Sequence, residues 1–204
     1  MPDQPRSYRM QLRAQSQEQT RLRITESAVE LHGTLGPSKT TISAVAQHAG
    51  VRRSTVYRHF PDEAALFDAC SAHWASANPP PDLEAWSKID SPDERLVVAL
   101  GELYGFYGRT ERMLENLFRD EMTMPLIQER FAAFRGYFAA ARDTLMAGRK
   151  IRGATRQRTQ AALGHAIAFS TWKSLVSEQG LSDADAVMLA CALVAAAVSP
   201  ANRF

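Results

Sequence analysis

Cysteine is scarce in this sequence: Cys70 and Cys191 stand far apart, each within an apolar stretch, with no spacing that suggests a metal or redox motif. They read as two small buried hydrophobes in a reducing compartment. The histidines at positions 32, 48, 59, 73 and 165 are just as scattered, so neither a metal nor a cofactor is expected. No run reaches the roughly 18 apolar residues that a membrane-spanning helix needs. The opening MPDQPRSYRMQLRAQ is basic but has no apolar stretch behind it, unlike a secretory signal, so a cytoplasmic location is expected. No nucleophile stands with a base and no carboxylate cluster is visible, so the chain is not read as an enzyme.

A more local absence is the informative one. Between Glu30 and Asp62 there is not one carboxylate. Residues 1–60 hold nine basic and four acidic side chains, a net charge of +5, whereas residues 61–204 hold 15 basic and 18 acidic, a net charge of −3. A positive N-terminal part joined to a mildly negative remainder suits a segment that meets a polyanion attached to one that does not. At 204 residues, 45% hydrophobic and 23% charged, the chain is long enough for a small domain fused to a larger globular one.

Residues 1–15 show no periodic apolar face and contain two prolines, so they read as a flexible basic arm that either touches DNA or is a solvated tail. From about Gln17, Ile24, Ala28 and Leu31 recur at helical spacing until Gly33, Gly36 and Pro37 stop the pattern. Thr40 stands where a helix cap belongs, before a short helix with Ile42, Val45 and Ala46. Gly50 closes that helix, and a second short one is expected from about Arg52 to His59, with Val56 and Phe60 inward. Asp62 is a plausible cap for the next helix, to about Ala77. The expected core is Ile24, Ala28, Leu31, Ile42, Val45, Val51, Val56 and Phe60.

Two short helices joined by a glycine turn, with Ala46 and Ala49 allowing close approach, project the second helix away from the body. That helix leaves Arg52, Arg53, Thr55, Tyr57, Arg58 and His59 without an internal role. Guanidinium forks, a hydroxyl and a phenol suit phosphate oxygens and base edges. For Tyr57 and His59, ordinary packing or surface placement is the competing reading.

The stretch TTISAVAQHAGVRRSTVYRHFPDEAALF resembles the DNA-binding domain of the tetracycline-repressor (TetR) family, over about residues 16–70. The shared pattern is a Thr cap, an apolar-Ala pair, Ala-Gly-Val, a small residue, Thr, an aliphatic residue, Tyr, any residue, His and Phe. The resemblance implies that Thr40 and Thr41 approach phosphate, that Tyr57 and His59 contact the backbone, and that Arg53, Ser54 and Thr55 approach bases or phosphates. Two positions depart from the pattern: Arg52 replaces a small hydroxyl residue, and Glu63 stands where a phosphate-binding lysine is usual.

The expected organisation is an all-α chain with an arm over 1–15, a helix-turn-helix domain over 16–77, a linker over 78–91, and a helical domain over 92–204. Ser91, Pro92 and Glu94 form a start signal, followed by apolar residues from Leu96 to Tyr107 on one face. Further helices are expected at about 110–119, 123–148, 156–178 and 183–198. Residues 186–198 are apolar all round and too short for a bilayer, so they belong in a core or between subunits.

The resemblance implies that this second domain senses a ligand and dimerises through its last two helices. Phe106, Tyr107, Met113, Leu117 and Phe118 either line an effector pocket or are plain core. The same holds for Phe131, Phe134, Phe138, His165, Phe169 and Trp172. Glu115, Asn116 and His165 are polar candidates for orienting an effector. The basic run Arg149, Lys150, Arg152, Arg156 and Arg158 reads as a solvated loop.

The expected function is a ligand-responsive regulator, a repressor that binds a palindromic double-stranded operator as a homodimer and is released by a small apolar or amphipathic effector. The competing reading is a nucleoid-associated or other DNA-binding protein without an effector.

Overall fold

The computed structural model describes residues 6–199, and every regular element among them is helical. They fall into two compact units. The first comprises the described residues to Pro79 with Arg112–Gln128, and the second comprises Pro80–Glu111 with the described residues from Glu129 onward.

In the first unit, α1 spans Arg6–Thr34. Residues 6–15, expected as an irregular arm, are helical: beyond Pro5 they contain neither glycine nor proline and are rich in Arg, Gln, Leu and Ala. Only further along does α1 bury a face, through Ile24, Thr25, Ser27 and Ala28. It ends where the Gly36 amide reaches back to the carbonyls of Leu31 and His32, at 3.3 and 3.1 Å, with Gly36 at φ 93°. A tight turn over Pro37–Lys39 follows.

The next cap is Thr41, not Thr40. Thr41 Oγ1 accepts from the Ala44 amide at 3.1 Å, while Thr40 Oγ1 donates back to the Gly36 carbonyl at 2.8 Å. Helix α2 spans Ile42–His48, and α3 spans Arg53–His59. Between them Gly50 takes φ 65°, and the Val51 amide returns to the Ala46 carbonyl at 2.9 Å. Asp62 caps α4, Glu63–Ala77, by accepting from the Ala65 amide at 2.7 Å.

The core holds Ile24, Ala28, Ile42, Val45, Val56 and Phe60 as expected, with Ala46, Ala49, Leu66 and Cys70 added. Leu31 and Val51 pack against it partly buried. Burial of Val56 and Phe60 pins α3 to α1 and α2 and leaves its opposite side in solvent.

In the second unit, the expected linker is packed structure. It contains α5, Leu83–Ser87, whose Trp86 is fully buried and donates from Nε1 to Glu102 Oε2 at 2.7 Å. Helix α6 runs unbroken over Pro92–Glu121, so the separate helix expected at 110–119 is its continuation; Gly101, Gly105 and Gly108 do not interrupt it. Its last turns belong to the first unit. Helix α7 spans Pro125–Met146.

Arg95 is buried and satisfied by backbone alone. It donates to the carbonyls of Ile89, Thr144 and Ala147 at 2.6–3.0 Å, the last two closing the exposed end of α7. Arg149, expected in a solvated loop, bonds Asp93 Oδ1 at 2.8 Å and the Pro92 carbonyl at 2.9 Å instead. Arg156 and Arg158 lie on α8, Gly153–Ala166, and are exposed.

The helix expected over 156–178 is broken at Ile167 and Ala168, then resumes as α9, Phe169–Trp172, and widens over Lys173–Glu178. The break has a visible cause. Tyr104 and Tyr107 donate their hydroxyls to the carbonyls of Ala166 and Ile167, at 3.0 and 2.5 Å, replacing helix bonds there. Helix α10 spans Asp183–Val198, capped by Ser182.

Candidate nucleic-acid interface

Helix α3 presents Arg53, Ser54, Tyr57 and Arg58 to solvent, with Arg52 exposed at its cap position and Thr55 and His59 half-buried. Arg52 has extended backbone angles, φ −78° and ψ 148°, but makes no side-chain cap bond, so its guanidinium is not spent on the helix end. Thr41 is exposed and Thr40 half-buried at the neighbouring start of α2. The structure thus gathers all nine sequence-predicted residues on α3 and the approach to α2.

One pair is organised in advance. Arg53 Nη2 donates to Tyr57 Oη at 3.1 Å, one helical turn away, and its guanidinium carbon lies 5.5 Å from the ring centroid. The bond to Tyr57 also pushes the Arg53 guanidinium further up, so its charge is permanent. A phenol and a cation at adjacent turns, both solvent-facing, form a two-pronged donor surface for phosphate oxygens.

His59 is placed differently from its neighbours. Its Nε2 is shielded from solvent without a hydrogen-bond partner. Burial, together with the nearby Arg58 and Arg21 charges, lowers its pKa and so favours the neutral ring.

Arg21 was missed as a functional candidate by sequence reasoning. It donates from Nη1 to the His59 carbonyl at 2.9 Å, and its guanidinium carbon sits 4.4 Å from the centroid of the Phe60 ring. It thereby closes the C-terminal end of α3 against α1. Its only sequence signal was an arginine three residues before Ile24, on the edge of the apolar face of α1.

A second missed feature braces the turn leading into α2. Asn116 Nδ2 donates to the carbonyls of His32 and Gly33, at 3.0 and 2.9 Å. Arg119 donates to Asn116 Oδ1 at 2.7 Å, to Asp120 Oδ1 at 2.8 Å and to the Leu35 carbonyl at 3.1 Å. Asp120 Oδ2 accepts from the Ser38 amide at 2.9 Å.

Burial works to raise the Asp120 carboxyl, but the bonds from Arg119 and Ser38 prevail and hold it below its usual range. Asn116, considered above for effector contact, is therefore a structural brace in the first unit. Its partners lie more than 80 residues away in sequence, and no local pattern announces such a pairing.

His32, beside this brace, is buried; its Nδ1 lies 3.4 Å from Cys70 Sγ, and burial drives its pKa down to about 4 against a raising influence from Asp120. Burial likewise pushes the Cys70 thiol up to about 12, which makes it inert.

The aromatic effector candidates divide. Met113, Leu117 and Phe118 lie in the first unit, and the others in the second. In the second unit Tyr107 is the hub, with ring centroids of Phe106, Phe138, Phe169 and Trp172 between 5.4 and 6.5 Å from its own. Phe134 links Phe138 to Phe131 at 4.8 and 5.3 Å. Trp172 Nε1 is held by Asp183 at 3.0 Å. His165 is exposed and its carbonyl accepts from Thr171, so it stands outside this cluster.

No group of three or more His, Cys, Asp or Glu able to hold a metal ion occurs among the described residues, and none of their helices is long and apolar enough to cross a membrane.

Residues 24–70 match the family model described as bacterial regulatory proteins, tetR family. No curated protein matches the chain. Among solved structures, a TetR-like transcriptional regulator from Rhodococcus sp. RHA1 is similar with a TM-score of 0.62 at 18% identity, covering 95% of this chain and 97% of that one. FadR from Bacillus subtilis, in complex with stearoyl-CoA, has a TM-score of 0.57 at 17% identity, with 87% and 97% covered. NalD from Pseudomonas aeruginosa, described as the secondary repressor of the MexAB-OprM multidrug efflux pump, has a TM-score of 0.57 at 23% identity, with 89% and 95% covered. At these identities the likeness is one of fold, and it extends over both parts of the chain.

Proposed function

We propose that the chain, whose residues 24–70 match the model of the tetR family of bacterial regulatory proteins, is a repressor that reads a palindromic operator as a homodimer and releases it on binding a small apolar or amphipathic effector. The observation that carries this reading is the solvent face of α3. Arg53, Ser54, Tyr57 and Arg58 stand there with Arg52 at the helix start, and the sequence has no carboxylate from Leu31 to Pro61. Arg53 and Tyr57 contact phosphate together, Arg52 and Ser54 approach base edges, and the buried Val56 and Phe60 hold the helix out from the body.

Two features support the rest. On α10, Met188, Leu189 and Leu193 are 64%, 41% and 51% exposed, an apolar stripe along a helix whose other side is buried through Ala186, Val187, Ala190 and Val194. A second copy of the chain covers this stripe, with small Ala192 and Ala196 beside it allowing close helix approach. The aromatic cluster around Tyr107 supplies apolar lining for the effector, and the stearoyl-CoA bound to the Bacillus subtilis neighbour suggests an acyl or similarly amphipathic molecule. Release follows if effector binding favours a dimer whose two α3 helices no longer match the groove spacing.

The test is a salt-matched gel shift on a duplex that the protein itself retains from a random pool. Arg53→Ala and Tyr57→Ala should each weaken binding by about 1–3 kcal/mol. Unchanged affinity for both variants would reject this reading of α3.

A further inference from the structure

In an unbroken helix the carbonyls of Ala166 and Ile167 would accept from the amides of Ser170 and Thr171. Here both accept from phenols of α6 instead, Tyr104 at 3.0 Å and Tyr107 at 2.5 Å, and the Thr171 amide turns to the Ala168 carbonyl at 3.1 Å. Ala168 is extended, with ψ 138°, and beyond α9 the Lys173–Glu178 segment is bonded one residue wider, the Gln179 amide reaching the Ser174 carbonyl at 3.0 Å. Two bonding patterns thus compete for the same two carbonyls, and each exchanges one hydrogen bond for another, so they are close to balanced. The donors tip the balance. Both tyrosine rings are fully buried, so a continuous helix would leave their hydroxyls without these acceptors. Tyr107 is also the hub of the aromatic cluster, with the rings of Phe169 and Trp172 on α9 at 5.4 and 6.0 Å. The group that keeps the helix broken therefore touches the rings proposed to line the effector site. Helix α8, which ends at the break, packs along α10, the helix of the exposed apolar stripe.

We propose that the break between α8 and α9 is the regulatory switch of the chain. With the Tyr104 and Tyr107 hydroxyls on Ala166 and Ile167, the helix is broken and α8 and α10 hold the form that binds DNA. An effector seated among the rings offers an acceptor oxygen of its own to the Tyr107 hydroxyl. The carbonyls then return to the helix amides, α8 runs on into α9, and its packing on α10 changes. The broken form is the DNA-binding one because the effector that ends it is the one that releases the operator. This inference rests on the reading of the chain as an effector-released regulator and names the element through which release passes.

The test needs no effector. The full chain, its Tyr104→Phe/Tyr107→Phe variant, Ser170→Pro and the combination of all three changes are compared on a duplex that the unaltered chain retains from a random pool, with hydrogen exchange at the Ser170 amide followed in parallel. Without the hydroxyls the continuous helix strands no donor, so Ser170 exchange should slow by roughly tenfold and DNA affinity should fall by roughly tenfold. Proline at position 170 fits the first turn of α9 but has no amide to give Ala166, so it keeps the helix broken. Ser170→Pro alone should bind DNA like the unaltered chain and, added to the two phenylalanines, should restore affinity to within about twofold. Damaged packing would not be repaired by a proline. If the unaltered chain retains no duplex, the regulator reading fails and the switch with it. If it binds, the switch alone is refuted by a phenylalanine variant that keeps its affinity, exchanges Ser170 faster, or loses affinity without rescue by the proline.

Discussion

Arg53 and Tyr57 show how much a single bond can prepare. Their contact holds two flexible groups in one orientation, so in the proposed contact with phosphate less rotamer freedom remains to be lost. Tyr57→Phe removes only the hydroxyl: the ring stays under the guanidinium, and binding should weaken less than with Tyr57→Ala, a ranking that titration of both variants on one duplex checks. His32 makes a prediction of another kind. Its pKa falls from 6.5 in an open chain to about 4 in the fold, so the unfolded chain binds the proton more readily. Stability is full above about pH 6.5 and falls as pH drops toward 4, by about 3 kcal/mol in total. Asp120, with a lowered pKa, acts in the same sense but only below the ordinary carboxylate range. An NMR titration should find the His32 ring neutral at pH 5; a midpoint near 6.5 would contradict its burial.

At the scale of elements, the start of α2 is held by a brace from the end of α6. Gly36 is where this is tightest: a Cβ there would come within 2.0 Å of Arg119 Nη2 and 2.6 Å of an Asp120 carboxylate oxygen, on a backbone with φ 93°. Gly36→Ala should destabilise the chain by about 1–3 kcal/mol through backbone strain before any displacement of Arg119 is counted, as a melting temperature reports. Asn116→Ala leaves the His32 and Gly33 carbonyls without that donor and should lower both stability and DNA affinity. Local patterns made the first unit legible. A glycine at a reversal, apolar residues at helical spacing through Ile24 and Ala28, and Asp62 before a helix are short-range signals, and each was followed by the structure.

The unforeseen features were long-range or competed locally. Thr40 and Thr41 offer the same hydroxyl, and only the nearby Gly36 carbonyl decides which one caps. The break at Ile167 depends on two tyrosines about 60 residues upstream, and the packing of Trp86 on a glutamate from another helix. The proline-rich composition around Trp86 had suggested a linker instead. The helical start of α1 was hidden because it has no apolar face to reveal it.

For the molecule as a whole, reading DNA with one short helix gives little affinity, and a second copy doubles the contact with a fixed spacing between recognition helices. In the proposed dimer, the exposed stripe of α10 is the surface on which this depends. Leu193→Glu with Met188→Glu places charges on it without touching the buried Ala190 and Val194, so the chain should fold, sediment as a monomer, and lose at least tenfold in DNA affinity. A dimer surviving both changes would move the interface elsewhere. The central claim, that two copies of α3 read one site, is most directly measured by selecting bound sequences from random DNA with the intact protein. The account predicts a palindrome whose half-sites lie about one helical turn, or a whole multiple of it, apart. Recovery of sequences with no shared motif, or of a single unrepeated half-site, would contradict it.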